Sequence, residues 1–253
     1  MKRLDNETKI KIEKFAKAGF SLNKISRKLN LQRSVTYYWF RKFSSHKMPK
    51  IVINNSLREE IGEIVGAFCG DGNYYINKNY GHQVQIYLAE NEEWYAHHLD
   101  NCFKKVFSKS AWIWHNRTDH LFLFRIFGID IINFIKTFVD WKINKTYSVS
   151  LKKSINNFDE EFLIGFLRGL YLTDGWLDKT TNTANFASTS PRLMKNFADI
   201  LNLFSINYHR YHYQKEDRKM LYKLNIPRNN AQKFFEVIKI KEVLPRGISG
   251  KTF

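Results

Sequence analysis

Ile61-Gly62-Glu63-Ile64-Val65-Gly66-Ala67-Phe68-Cys69-Gly70-Asp71-Gly72 recurs in altered form as Ile164-Gly165-Phe166-Leu167-Arg168-Gly169-Leu170-Tyr171-Leu172-Thr173-Asp174-Gly175. Small residues stand four apart in both: Gly62, Gly66 and Gly70 in the first, Gly165, Gly169 and Thr173 in the second. On a helix that spacing forms a single row and lets two backbones come close. In an all-apolar run the row would suggest membrane dimerisation. Glu63 and Arg168 interrupt it, and neither run approaches the roughly twenty apolar residues of a span. The expectation is a soluble helix pair packed through its small faces. Each helix ends in Asp-Gly, where glycine can adopt a left-handed cap.

An aspartate at a helix C-terminus adds negative charge to an end that is already negative. Two such helices packed in parallel would bring Asp71 and Asp174 together, a misfit that a cation between them would relieve. Carboxylates, with no His in either stretch and Cys69 inside a packed helix, suit Mg²⁺ better than zinc.

These two stretches resemble the signature of the LAGLIDADG homing endonucleases of the single-chain, two-repeat kind. Ile64 to Gly72 and Leu167 to Gly175 each carry Gly in the third place, Asp in the eighth and Gly in the ninth. The likeness runs from about Leu57 to the C-terminus. The sixth place holds Cys69 or Leu172, where the family often has an acid. That acid is not the family's metal ligand, so activity is not put in doubt. The resemblance implies divalent-metal hydrolysis of DNA, with Asp71 and Asp174 as metal ligands and catalytic residues. A basic residue after the third helix of each repeat assists: Lys145 in the first, Lys239 or Lys241 by a looser match in the second. Glu90 and Ser190, at the ends of second strands, match positions that arrange solvent or metal.

Charge agrees with a polyanion partner. The chain of 253 residues has a net charge of +17, and residues 1–50 hold fourteen Lys and Arg against three Asp and Glu. The excess is thus densest at the N-terminus. The bland alternative is a solvated basic surface. Only Cys69 and Cys102 are present, which leaves no disulfide framework and points to an intracellular, cytoplasmic location. No apolar leader or span is legible, so no membrane association is expected.

In chain order, Thr8–Lys17 reads as an amphipathic helix ended by Gly19. Ser21 caps a second helix, and a turn at Asn30–Gln32 leads to Arg33–Phe43. This is similar to a helix-turn-helix, whose second helix would present Gln32, Arg33, Ser34, Thr36 and Tyr37 to bases or phosphates, with Val35 and Trp39 in the core. The alternative is a three-helix bundle with no nucleic-acid role. The expected division is a helix-turn-helix domain at 1–45, a linker at 46–56, a first repeat at 57–155 and a second at 156–253.

Within each repeat, alternation and turn residues give the order αββαββα. The fold class expected is α+β, two pseudo-symmetric repeats forming a DNA-binding saddle, plus the small all-α domain. The outer sheet faces, with Gln83, Gln85 and Arg125 in one repeat and Lys223 and Asn225 in the other, are expected to be polar, flat and open to the major groove. The partner is double-stranded DNA, bound by a monomer that needs no protein partner, with Mg²⁺ or another divalent cation as cofactor. Rival readings are a non-cleaving DNA-binding regulator on the same scaffold, which resembles a bacterial sporulation-regulator branch, and an RNA-splicing maturase.

Overall fold

The computed structural model describes residues 4–43, 53–77, 81–142, 144–214 and 219–240. The chain divides into two compact units, residues 1–50 and 51–253.

The first unit is built of α1 (Asn6–Lys17), α2 (Leu22–Lys28) and α3 (Arg33–Phe43). Asp5 caps α1 by accepting from the Thr8 N–H, and Ser21 caps α2 through the Lys24 N–H, the side-chain remedy for unpaired amides at a helix start. Gly19 turns the chain between them at φ +78, a conformation glycine adopts without cost. Ile12, Ala16 and Ile25 form a small buried core under Phe15, Phe20, Trp39 and Phe43. Ile10 belongs to the apolar set of α1 but is 63% exposed. Thr36 departs from expectation. It is fully buried and its hydroxyl donates to the Gln32 carbonyl, so it faces the bundle interior and not a ligand.

In the second unit α4 (Arg58–Cys69) leads into β1 (Gly72–Asn77), β2 (Gly81–Ala89), α5 (Glu93–Phe107), β3 (Trp112–Asn116), β4 (Leu121–Phe127) and α6 (Ile129–Phe138). A connector follows, holding β5 (Val139–Asp140), the one-turn α7 (Lys145–Ser148) and β6 (Ser150–Leu151). The second repeat is α8 (Glu160–Asp174), β7 (Gly175–Asp178), β8 (Thr183–Ser188), α9 (Pro191–Leu203), β9 (His209–Tyr213), β10 (Leu221–Ile226) and α10 (Arg228–Val237). The sheets have matching antiparallel orders, β1-β2-β4-β3 and β7-β8-β10-β9. Their registers match as well, Gly72 opposite Ile86 and Gly175 opposite Phe186. The fold is α+β with two like-built αββαββα repeats.

The helix pair α4 and α8 is the centre. A Cβ on Gly62 or Gly66 would collide with the carbonyls of Phe162 and Phe166, and a Cβ on Gly165 or Gly169 with those of Glu59 and Glu63. These reciprocal contacts climb both helices in the same direction, so the helices run parallel and meet backbone to backbone. Gly70 meets the Thr173 side chain in the same row. Apolar side chains displaced from this seam fill one continuous core, with Phe68, Phe103 and Phe124 in one repeat and Phe166, Phe186 and Phe197 in the other. Between the helices Arg168 reaches Glu63 at 2.8 Å and Glu59 at 2.6 Å, and Lys239 reaches Glu59 at 2.5 Å. Glu63 is fully buried. Burial works to raise its pKa, but His98 and Arg168 outweigh it and hold the carboxyl below its ordinary value.

Some expectations are corrected. Gly72 and Gly175 are not left-handed caps. Gly175 has φ −94, and the left-handed glycines among the described residues are Gly19, Gly81 and Gly128. What the two motif glycines provide is room: a Cβ would strike the Phe68 backbone at Gly72 and the Tyr171 ring and carbonyl at Gly175. The tail of the expected linker is structured too. The Asn54 N–H donates to the Val106 carbonyl at 2.9 Å, and Ile53 packs on the core; residues 46–52 lie outside the described residues.

Candidate functional site

The parallel packing delivers the C-terminal ends of α4 and α8 to one place. Asp71 follows α4 and Asp174 is the last residue of α8; both are half-buried. They line one cavity of about 910 Å³ together with Lys145, Asn144, Tyr147, Ser188 and Thr189. The closeness of the two ends is plain at Gly70, where a Cβ would stand 3.2 Å from Asp174 Oδ2.

Lys145 opens α7 and turns back into this junction. Its Nζ donates to the carbonyls of Phe68, Cys69 and Gly70 at 2.8, 2.8 and 2.7 Å. All three ammonium protons are therefore directed at the last carbonyls of α4. Those carbonyls are unpaired in any helix and carry the negative end of its dipole. Burial lowers the Lys145 pKa, opposed by Cys69, Asp174 and Asp71. Burial also drives the Cys69 thiol up to about 12, so it is a neutral packing group. The cation anticipated between the acids is thus supplied in part by the chain itself. The end of α8 is supported differently, by the Thr173 hydroxyl, which donates to the Gly169 and Leu170 carbonyls at 3.0 and 3.1 Å.

The donor set suits a hard divalent cation: two carboxylates, side-chain amide and hydroxyl oxygens from Asn144, Ser188 and Thr189, and no imidazole on the lining. Asp71 and Asp174 are the residues that would hold it.

Ser190 is not part of this chemistry. It is fully buried, and its hydroxyl donates to the Val149 carbonyl and accepts from the Leu193 N–H; it caps α9. Glu90 is exposed and pairs with His115 and His120, each at 2.9 Å. The bond from His120, with that from His115, holds its carboxyl below its ordinary value. Lys239, the looser match, lies at the opposite end of the helix pair on Glu59, and Lys241 is outside the described residues.

The outer sheet faces differ from the flat polar surface expected. In the first repeat Asn73, Gln85, Arg125 and Trp112 form one cross-strand row. Arg125 stacks its guanidinium on Trp112 at 5.1 Å. Gln83 and Gln85 are only 2% and 6% exposed: Tyr75 stands opposite Gln83, the Tyr87 hydroxyl donates to Gln85 Oε1 at 3.0 Å, and the stacked Trp112 and Trp114 share the face. In the second repeat Trp176, Asn185, Asn225 and His209 form the matching row. Asn225 donates to Asn185 at 2.9 Å, and Lys223 lies over the Trp176 ring. Asn185 went unnoticed in the sequence, although the alternation through Ala184 and Phe186 puts it on this face. Asn144 and Thr189 had no such signal, since they sit in irregular connections. In the first unit Gln32, Arg33, Ser34 and Tyr37 are exposed on the start of α3 and the turn before it.

Residues 161–239 match the LAGLIDADG-like domain family. No curated protein sequence matches the chain. Among solved structures, mesophilic variants of the homing endonuclease I-DmoI superpose with a TM-score of 0.54 at 16% identity, over 73% of this chain and 97% of that one. I-DmoI in complex with DNA and Mn gives 0.54 at 16% identity, over 72% and 97%. The N-terminal LAGLIDADG domain of DUF199/WhiA gives 0.50 at 17% identity, over 74% and 86%. The shared fold is that of the two-repeat LAGLIDADG proteins.

Proposed function

We propose that this chain, which carries a LAGLIDADG-like domain at 161–239 on the two-repeat LAGLIDADG fold, is a site-specific double-strand DNA endonuclease dependent on a divalent cation, Mg²⁺ by preference. The observation that carries the reading is the meeting of Asp71 and Asp174 at the ends of parallel helices. Acids there oppose the helix dipoles, a cost that packing alone gives no reason to retain twice. A divalent ion bound by these acids would polarise the scissile phosphate and stabilise the attacking and leaving oxygens. I-DmoI, which shares the fold, is seen with DNA and Mn, Ca or Mg.

The residues divide the work. Asp71 and Asp174 supply negative charge to hold cation and phosphate in one place. Lys145 keeps the end of α4 wound up to Gly70, and so fixes where the Asp71 carboxylate stands. Asn144 and Ser188 offer hydrogen bonds to a phosphate or to attacking water, while Thr189, whose hydroxyl donates to the Thr146 carbonyl at 2.9 Å, can accept one from that water. Arg125, Lys223 and Asn225 supply phosphate and base-edge contacts along the sheets, with Gln83 and Gln85 reachable once the neighbouring rings rotate. Gln32, Arg33, Ser34 and Tyr37 act as a helix-turn-helix surface that extends the contact to more DNA. One chain holds both halves, so the active species is a monomer on an asymmetric site.

The same fold is found in the N-terminal LAGLIDADG domain of DUF199/WhiA as well as in a homing endonuclease, and fold alone does not separate cleavage from the non-cleaving, DNA-binding reading. The test is a Mg²⁺-dependent cleavage assay on a randomised duplex library. Cleavage at a defined sequence, lost in Asp71→Asn and Asp174→Asn, is the result expected. Sequence-selective binding with no cleavage in Mg²⁺ or Mn²⁺ would assign the chain to the regulatory reading instead.

A further inference from the structure

About 12 Å up α4 from Asp71, at about 1.5 Å per residue, a second cluster of ligating groups lies outside the junction. His98 and Cys102 are four apart on α5 and share a face of it. His98 Nε2 is 2.9 Å from Glu63 Oε1 and 3.7 Å from Cys102 Sγ. One ligand atom from each of the three residues lies within 4.8 Å of the others. Ligands about 2.0–2.3 Å from a tetrahedral ion stand at comparable separations from each other.

Two buried polar atoms are left over. Glu63 Oε1 stands 2.9 Å from His98 Nε2, an ion-pair contact whose geometry leaves this buried oxygen without a well-aligned hydrogen bond. The Tyr95 hydroxyl is fully buried and has no hydrogen-bond partner among the described residues. It lies close enough to Glu63 and Cys102 for their charge to bear on it.

We propose that Glu63 Oε1, His98 Nε2 and Cys102 Sγ form a second cation site for a borderline transition metal of the zinc class. The mixed oxygen, nitrogen and sulfur set argues against Mg²⁺ or Ca²⁺ and fits zinc or cobalt(II). Glu63 Oε2 stays with Arg168, which already holds it at 2.8 Å. Binding displaces one proton, from the Cys102 thiol to solvent, and keeps His98 neutral with its Nε2 lone pair on the ion; nothing is oxidised or reduced. The fourth position opens on the cavity lined by Trp94, Asn101 and Lys105. Such an ion would tie α5 to α4 behind the helix pair and take no part in cleavage.

The test uses the full chain carrying Asp71→Asn and Asp174→Asn, freed of metal and titrated with cobalt(II). The expected result is one equivalent bound, with a thiolate-to-cobalt charge-transfer band that zinc abolishes by displacement. Cys102→Ser should remove the band. His98→Gln, a change at a half-exposed side chain whose folding is checked by its Tm without metal, should weaken affinity by more than the roughly ten- to hundredfold that loss of a merely supporting residue brings. Cobalt bound without a charge-transfer band, a band that survives Cys102→Ser and so belongs to Cys69, or unchanged affinity in His98→Gln would each overturn the proposal. None of these outcomes bears on the cleavage reading, because the acids of the junction are absent throughout.

Discussion

Lys145 Nζ donates to the Gly70 carbonyl at 2.7 Å, one residue before Asp71 and 75 residues away in sequence. A single side chain from the connector between the repeats thus finishes the first motif helix and supplies positive charge beside both acids. Replacing it by Met should strip charged hydrogen bonds from the last turn of α4. A hydrogen bond to a charged group is worth about 1.5–3 kcal/mol, offset here by the cost of burying the ammonium. The expected outcome is a lower Tm and cleavage reduced by more than binding, measured by thermal denaturation and by parallel cleavage and gel-shift assays. Unchanged stability would mean that the three bonds do not hold the helix end.

Asp71→Asn and Asp174→Asn should each keep the fold and the DNA affinity while ending double-strand cleavage. Each variant removes a carboxylate that would hold the cation and preserves shape. Nicked product from either single variant would indicate that the two acids serve separate strands, and wild-type rates in both would remove them from the chemistry.

Bulk on the helix seam should be resisted at its centre. Gly66→Leu or Gly169→Leu would place a side chain where the Phe166 or Glu63 carbonyl now sits. The helices must part, and the cost should be at least the roughly 1–3 kcal/mol of overpacking, read as a lowered denaturation midpoint. Gly81, with nothing within 4 Å of an added Cβ but a φ of +77, is a control for backbone strain without crowding.

Asp159 caps α8 through the Phe162 N–H at 2.8 Å and pairs with Arg58 at 2.6 Å. Burial is the largest single influence and opposes ionisation, but the Phe162 cap bond and Arg58 together outweigh it, so its pKa lies below the ordinary 3.8. A carboxyl depressed on folding contributes stability that is present above the unfolded value and lost as pH falls through the folded one. Stability should therefore drop as pH goes below about 3.8. Asp159→Asn, which can still cap, should flatten that part of the profile, while Asp159→Ala should cost roughly 0.5–2 kcal/mol at neutral pH as well. Identical acid profiles for the wild type and Asp159→Asn would remove the group from acid sensitivity.

Removal of residues 1–50, which hold fourteen basic and three acidic residues, should weaken DNA binding and flatten the dependence of log K on log salt by about 0.9 for each phosphate that is no longer neutralised. Protection should shorten at one end of the site, with cleavage at saturating protein retained. An unchanged salt slope and footprint would make these residues a structural appendage.

The repeated small-residue rows and the twin Asp-Gly endings determined the helix pair, the duplicated αββαββα order and the two acids from sequence alone, because helical spacing and strand alternation are local and periodic. Charge density likewise marked the N-terminal unit. Tertiary structure decided what periodicity does not encode. Ser190, polar and at a strand end, became a buried cap because the Val149 carbonyl and Leu193 N–H meet it there. Gln83 and Gln85 alternate outward as their neighbours Val84 and Ile86 require, yet they are buried on a face shared with aromatics, and which ring stands opposite which amide depends on register between strands. Gly72 and Gly175 are needed for close approach and not for a left-handed turn. Lys145 was legible only as a position after a helix. Its bonds to α4 follow from the folding of the 139–151 connector, a long-range closure between segments with no shared pattern.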